Sequence, residues 1–160
     1  MNSRQTIRYK EASIPNASVI GFDGAQQITN GLTAVVVDDN PEILTLAAAI
    51  LEVLGYRVHM ASDGSEALRH LKAAPCRLML TDYEMPAITG YQLAKKVKSQ
   101  FAKTRVLIMT GLCQNQVIEL MRDQDVDGWL FKPFCLEQLK AMLSQIGLPG
   151  NIEPKSRLIA

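Results

Sequence analysis

Cysteine is scarce in this chain: three among 160 residues, Cys76, Cys113 and Cys135. They are widely spaced and odd in number, with no CxxC pair, so neither a disulfide framework nor a zinc knuckle is indicated. Each sits in or beside an apolar segment. Free, mostly buried thiols in a reducing cytosol are the expectation, and with them a cytoplasmic location. Excess charge of either sign is also missing. Seventeen basic and sixteen acidic residues leave +1, which gives no bulk field for nucleic acid and argues against direct nucleic-acid binding. No long hydrophobic run occurs. The longest, Leu46 to Leu51, is far too short to cross a bilayer, so no membrane insertion is expected. The N-terminus is polar and lacks a signal-peptide apolar core. Internal repeats and low-complexity tracts are absent.

What remains is a globular composition, 48% hydrophobic and 21% charged, with ample material for one core. Residues 1–31 show no sustained period and are punctuated by Pro15, Gly21, Gly24 and Gly31. They read as a mobile N-terminal extension, in which "ASVIGF" could form a short strand. The folded domain is expected over 32–147, with a C-terminal tail over 148–160.

Within it, short apolar runs alternate with stretches of helical period. Ala34–Val37, Leu78–Leu80, Val106–Met109 and Leu130–Phe131, led by Trp129, are continuous rather than alternating. That suits parallel strands covered on both faces. "RVHMA" (57–61) alternates, as an edge strand would. Asn40 and Pro41 start a first helix with a stripe of Ile43, Leu46/Ala47, Ile50 and Leu54. Asp63 with Glu66 and Thr89 with Gln92 are spaced as capping boxes for the second and third helices. The third has Leu93/Ala94, Val97 and Phe101 on one side. A fourth carries Val117, Leu120 and Met121. A fifth carries Leu136, Leu139, Leu143 and Ile146 and stops before Pro149-Gly150. Five β-α repeats give an α/β class with a parallel sheet.

Each buried strand runs into polar residues: Asp38-Asp39, Thr81-Asp82, Thr110 and Lys132. In an open α/β sheet these strand ends share one edge, where ligands bind. Three carboxylates, a hydroxyl and an ammonium therefore converge, with a sum near −2. A divalent ion would neutralise them, and an all-oxygen site favours Mg²⁺, with Mn²⁺ as a substitute. The alternative is a structural cluster with raised carboxylate pKa values and no metal.

The acidic pair Asp38-Asp39, "DYEMP" from Asp82, Thr110-Gly111 and "KPF" from Lys132 stand in order at strand ends. Over residues 32–147 the chain resembles the receiver domain of two-component response regulators. The resemblance implies a doubly wound five-stranded parallel sheet of order 2-1-3-4-5, flavodoxin-like, with helices on both faces. It implies that Asp82 takes a phosphoryl group from a phosphohistidine on a histidine kinase or histidine phosphotransfer protein. Mg²⁺ would be held by Asp39, Asp82 and the Glu84 backbone carbonyl, with Asp38 acting through a metal-bound water. Lys132 and Thr110 would bind phosphoryl oxygens, Gly111 would leave room beside them, and the Lys132-Pro133 bond would be cis. Thr110 and Trp129 would form the switch, signalling to a downstream protein through the fourth helix, fifth strand and fifth helix. A homodimer is compatible with this.

Several residues depart from the family pattern. Trp129 stands where tyrosine or phenylalanine is usual, and its indole N–H opposes full burial in an apolar slot, so only a partial change is expected on activation: a modest blue shift with beryllofluoride and reduced quenching by iodide. Trp129 and Phe131 share one strand face, which is expected to carry the output helices. Glu84 is placed to reach the phosphoryl group or Lys132. "DQDVDG" (123–128) is expected to loosen the end of the fourth helix.

Residues 148–160 are too few for an output module, which favours a single-domain regulator of a bacterial phosphorelay acting by protein contacts. A receiver from a hybrid histidine kinase, or a phosphorelay intermediate, is the alternative. Less compatible are a phosphate-independent scaffold and an Mg-dependent aspartyl phosphatase of the haloacid dehalogenase type, which uses DxD on the first strand. An FMN binder would need a phosphate loop where "DDNPE" is acidic. The chain is therefore expected to be a phosphoacceptor rather than an enzyme.

Overall fold

The computed structural model describes residues 31–122 and 125–150. The expected mobile extension, with its "ASVIGF" strand, lies outside them apart from Gly31. So does the tail beyond Gly150.

The elements in chain order are β1 (Thr33–Val37), α1 (Pro41–Val53), β2 (Arg57–Ala61), α2 (Gly64–Ala73), β3 (Leu78–Asp82), α3 (Gly90–Gln100), β4 (Arg105–Thr110), α4 (Gln114–Val117), a 3-10 turn (Leu120–Arg122), β5 (Gly128–Phe131) and α5 (Leu136–Gln145). The sheet order is β2-β1-β3-β4-β5, with every pair parallel. This is the doubly wound α/β arrangement expected from the sequence. β2 is one of the two edge strands, with Arg57 and Met60 exposed.

Side chains alternate across each strand, which divides the core in two. Val36, Leu80 and Met109 meet Leu51 of α1 and Leu139 and Leu143 of α5 on one face. Val35, Met79 and Ile108 meet Ala67 of α2, Leu93 and Val97 of α3, and Val117 of α4 on the other. Trp129 and Phe131 belong to this second face, while Leu130 turns to the first. The expectation that one face carries the output helices is therefore corrected. α4 packs on the Trp129 side and α5 on the opposite side.

Helix starts follow their capping residues. The Asn40 side chain accepts from the N–H groups of Glu42 and Ile43, and Pro41 opens α1. Thr89 and Gln92 form a reciprocal capping box on α3. At α2 the Asp63 half forms, but Glu66 reaches back one residue further, to the N–H and hydroxyl of Ser62.

Three packing expectations are corrected. Leu46 is exposed, because α1 faces the sheet through Ala47, Ala48, Leu51 and Leu54. The fourth helix is a single turn, Met121 after it is exposed, and the Leu120 side chain lies outside the described residues. Of the cysteines only Cys76 is buried. Cys113 and Cys135 are exposed because each stands in the loop before a helix rather than in the apolar run beside it.

Candidate functional site

The sheet's own ladder positions the site. Beyond the regular strands, Asp38 N–H donates to Ala61 O, Tyr83 N–H to Met109 O, and Lys132 N–H to Thr110 O at 2.8 Å. Residues at or just past the ends of β1, β3 and β5 are thus fixed by backbone hydrogen bonds to their neighbours. The opening of α3 is tied to the same edge. Gly90 N–H donates to Tyr83 O at 2.9 Å, and a Cβ on Gly90 would overlap the Asp82 carbonyl. Only glycine allows the helix to start this close behind Asp82.

Carboxylate oxygens of Asp38, Asp39 and Asp82 all lie within 4.8 Å of one another. Asp38 and Asp82 are buried and Asp39 is exposed. The Lys132 ammonium donates to Asp82 Oδ1 at 2.6 Å and to Asp38 Oδ2 at 2.9 Å. The other Asp38 oxygen accepts from Asn40 N–H at 2.9 Å. Both Asp38 oxygens are therefore engaged, one by the start of α1 and one by Lys132.

The electrostatics reflect crowding. Burial is the largest influence on Asp82 and pushes its pKa up. The hydrogen bond and charge of Lys132 and the Glu84 N–H pull it down, Asp38 pushes it up again, and the net shift is upward. Burial alone would lower Lys132, but its bonds to Asp38 and Asp82 outweigh that and hold it above the ordinary lysine value.

Thr110 is buried beside this cluster at the end of β4, and its hydroxyl accepts from Leu112 N–H at 3.0 Å. A Cβ on Gly111 would meet no atom within 4 Å. The Lys132-Pro133 bond is cis. Glu84 is exposed, its carboxylate is outside the acidic cluster, and among the described residues Lys132 pairs with Asp38 and Asp82 rather than with Glu84.

Trp129 stands apart from the charged group and is buried despite its indole N–H. It is 5% exposed, its ring lies 5.9 Å from that of Tyr83, and its Nε1 has no hydrogen-bond partner. Packing against Tyr83 and the second core outweighs the unpaired N–H, which costs about 1–3 kcal/mol.

Hard oxygen ligands at this spacing, one of them exposed, fit a small divalent cation. The donor set is consistent with the Mg²⁺ site of receivers.

Residues 34–144 match the response regulator receiver domain. The chain belongs to that family. Receivers are phosphoacceptor domains of two-component systems that work with histidine kinases, rather than enzymes of the ordinary kind. Among known proteins, this receiver is 32% identical over 126 residues to the sensor protein EvgS of Escherichia coli K12, covering 79% of this chain and 10% of that protein. It is 32% identical over 130 residues to the response regulator GtcR of Aneurinibacillus migulanus, covering 80% of this chain and 53% of GtcR. The chain thus spans a small part of its sensor-protein relative and about half of GtcR. Among solved structures, chemotaxis protein CheY4 of Vibrio cholerae superposes with a TM-score of 0.66 at 31% identity, covering 72% of this chain and 98% of that one. TrrA of Thermotoga maritima, solved in complex with Mg(2+)-BeF, gives 0.65 at 25% identity, with 72% and 98% covered.

Two residues of this receiver were not singled out by sequence. Asp127 accepts from Lys98, Arg105 and the Val106 N–H, joining α3 and β4 to the approach to β5. Its only sequence signal was a place in an acidic stretch, of which 123 and 124 lie outside the described residues. Ala87 has φ 70°, and Ile88 N–H donates to Pro86 O across it, a γ-turn centred on a non-glycine residue. Nothing in "MPAIT" signals that, since alanine rarely adopts positive φ. Among the described residues, no helix is long and apolar enough to cross a membrane.

Proposed function

We propose that Asp82 accepts a phosphoryl group from a phosphohistidine on a histidine kinase or histidine phosphotransfer protein. The observation that carries this reading is the convergence of three carboxylates with one bridging ammonium at the strand ends. An Asp82 oxygen attacks phosphorus, the P–N bond breaks, and its electron pair leaves with the histidine. Asp39, Asp82 and the Glu84 carbonyl would hold Mg²⁺, with Asp38 assisting. When bound, the ion supplies positive charge that offsets the phosphoryl oxygens. Lys132 exchanges a carboxylate for a phosphoryl oxygen, and Thr110 donates its hydroxyl to another.

The output is a switch. Thr110 shifts toward the phosphoryl group, Trp129 responds, and the surface of α4, β5 and α5 changes its affinity for a downstream protein. The receiver unit spans 32–147, flanked by an N-terminal extension and a C-terminal tail, and acts as a single-domain regulator. Exposure to acetyl phosphate and Mg²⁺, read by intact mass, should add one hydroxylamine-labile phosphoryl group. Equal labelling of Asp82→Asn would overturn the assignment.

A second reading places the same chemistry inside a hybrid sensor kinase. The match to EvgS, of which the chain covers 10%, favours it. Immunoblotting the protein from its native cells separates the two by apparent mass.

A further inference from the structure

Opposite the acidic edge, the N-terminal ends of the strands gather cations. Arg57 opens β2, Arg105 opens β4, and Arg77 directly precedes β3. Arg105 N–H donates to Arg77 O at 2.9 Å, so the two arginines are ladder neighbours. Lys103 stands in the turn beside them. Asp127 draws Lys98 and Arg105 into ion pairs of 2.5 and 2.7 Å. Among the described residues no carboxylate pairs with Arg77 or Lys103.

Two clefts meet here. One of about 480 Å³ is lined by Arg77, Lys103 and Arg105 together with Gly147 and Leu148 beyond α5. The other, also about 480 Å³, runs between the C-terminal ends of α2 and α3 and includes Leu71, Pro75 and Phe101. Ala102 and Lys103 line both, so the clefts adjoin. A cation-lined hollow thus continues into an apolar one around a single turn.

We propose that this edge is a docking surface for an acidic peptide segment of a partner protein, anchored by an apolar side chain. Carboxylates suit the Arg77 guanidinium, a planar fork of donors, and the Lys103 ammonium beside it, while Arg105, already bound to Asp127, adds positive charge to the same cleft. An apolar residue two or three positions away would fill the Phe101 cleft. Helix C-termini also favour cations, and α2, α3 and α5 all end on this side. That accounts for single basic residues, but not for an adjoining apolar cleft. A nucleic acid would gain nothing from that cleft, and a bilayer surface meets convex apolar groups better than concave ones. The surface lies across the sheet from Asp82, so docking is independent of phosphorylation.

The test uses the full chain and a fluorescein-labelled peptide of Glu-Glu-Leu repeats, read by anisotropy. Binding should weaken at least about tenfold in Arg77→Glu/Lys103→Glu, one factor of ten being ~1.4 kcal/mol. It should be unchanged in Lys96→Glu and unchanged by beryllofluoride. A Glu-Glu-Ser peptide should bind several-fold more weakly, because it lacks the anchor. Labelling of Asp82 by acetyl phosphate should be the same in the double variant, which also checks its fold. If the double variant fails to fold, Arg77→Ala replaces it with the same expectation of direction. Absence of binding by the Glu-Glu-Leu peptide, equal loss in Lys96→Glu, equal binding of the Glu-Glu-Ser peptide, or dependence on beryllofluoride would each overturn the proposal. So would phosphatidylserine vesicles binding in preference to the peptide through the same two residues.

Discussion

The Lys132 ammonium touches Asp82 and Asp38 at once, at 2.6 and 2.9 Å, so one cation from the end of β5 balances two carboxylates from β3 and β1. Replacing it with Met keeps the length of the side chain and removes the charge. The three aspartates then face one another without compensation. Lys132→Met should bind Mg²⁺ more tightly, by about tenfold, because the site is more negative. It should also accept phosphoryl groups at least about tenfold more slowly, because a cation has been lost from the transferring group. Calorimetric Mg²⁺ titration and timed acetyl phosphate labelling check the two halves. A parallel fall in both would show that Lys132 mainly holds the fold.

Gly90 and Ala87 should respond in opposite directions. In Gly90→Ala the new methyl group meets the Asp82 carbonyl, so either α3 or Asp82 has to shift. Stability should fall by more than about 2 kcal/mol, with slower labelling of Asp82. Ala87→Gly relieves a positive φ and should raise stability by about 1 kcal/mol with labelling unchanged. Urea denaturation of both variants measures this.

Asp127 gives a pH dependence remote from the acidic cluster. Burial would raise its pKa, but hydrogen bonds from Lys98, Val106 and Arg105 outweigh that and hold it below the ordinary carboxylate value. A group depressed in the folded state stabilises fully above its unfolded pKa, about 3.9, and loses that contribution as pH falls through the lower folded value. Asp127→Ala should therefore cost about 2 kcal/mol at neutral pH, and the gap to the parent should narrow below about pH 4. Urea midpoints across pH 3 to 7, about the range in which carboxylates titrate, provide the check. A gap that stays constant with pH would remove the ion pairs from the explanation.

Tyr56 titrates in the opposite sense. Burial pushes its pKa up to about 12, against a smaller lowering by the charge of Arg77, and its hydroxyl donates to Pro149 O at 2.8 Å. Its contribution is complete below the unfolded value of about 10 and disappears as pH rises through about 12. Ultraviolet difference titration should show a late-ionising tyrosine that is absent in Tyr56→Phe.

Trp129 is the only tryptophan, so its emission reports one place. A ring that is 5% exposed should be poorly quenched by iodide before any phosphodonor is added. Strong quenching in the resting protein would mean that the ring spends its time outside the core.

The sheet and the site edge were legible because their signals are local. Three valines followed by two aspartates specify both a dry strand and its wet end. Asn40 and Thr89 specify helix starts through single side chains. The burial of Trp129 was not legible because an unpaired N–H costs little beside the packing of a large ring on Tyr83, and Tyr83 lies 46 positions away in sequence by subtraction of the two residue numbers. The exposure of Leu46 was missed because Ala47 and Ala48 bring α1 close to the sheet and rotate the stripe by one position. Asp127 could not be distinguished from its acidic neighbours, since its partners come from α3 and β4. Positive φ at Ala87 is imposed by the tertiary path of the loop.

The two charged edges have a kinetic meaning. The chain's net charge is only +1, yet carboxylates crowd one end of the strands and guanidinium groups the other. Such a molecule carries an electric moment along its strands and turns in the field of an approaching partner before contact. A partner with a positive rim meets the Asp82 end first, while a negative one meets the Arg77 end. Added salt should then slow both encounters and leave dissociation nearly unchanged, since the screening length shrinks to about 10 Å at 0.1 M ionic strength.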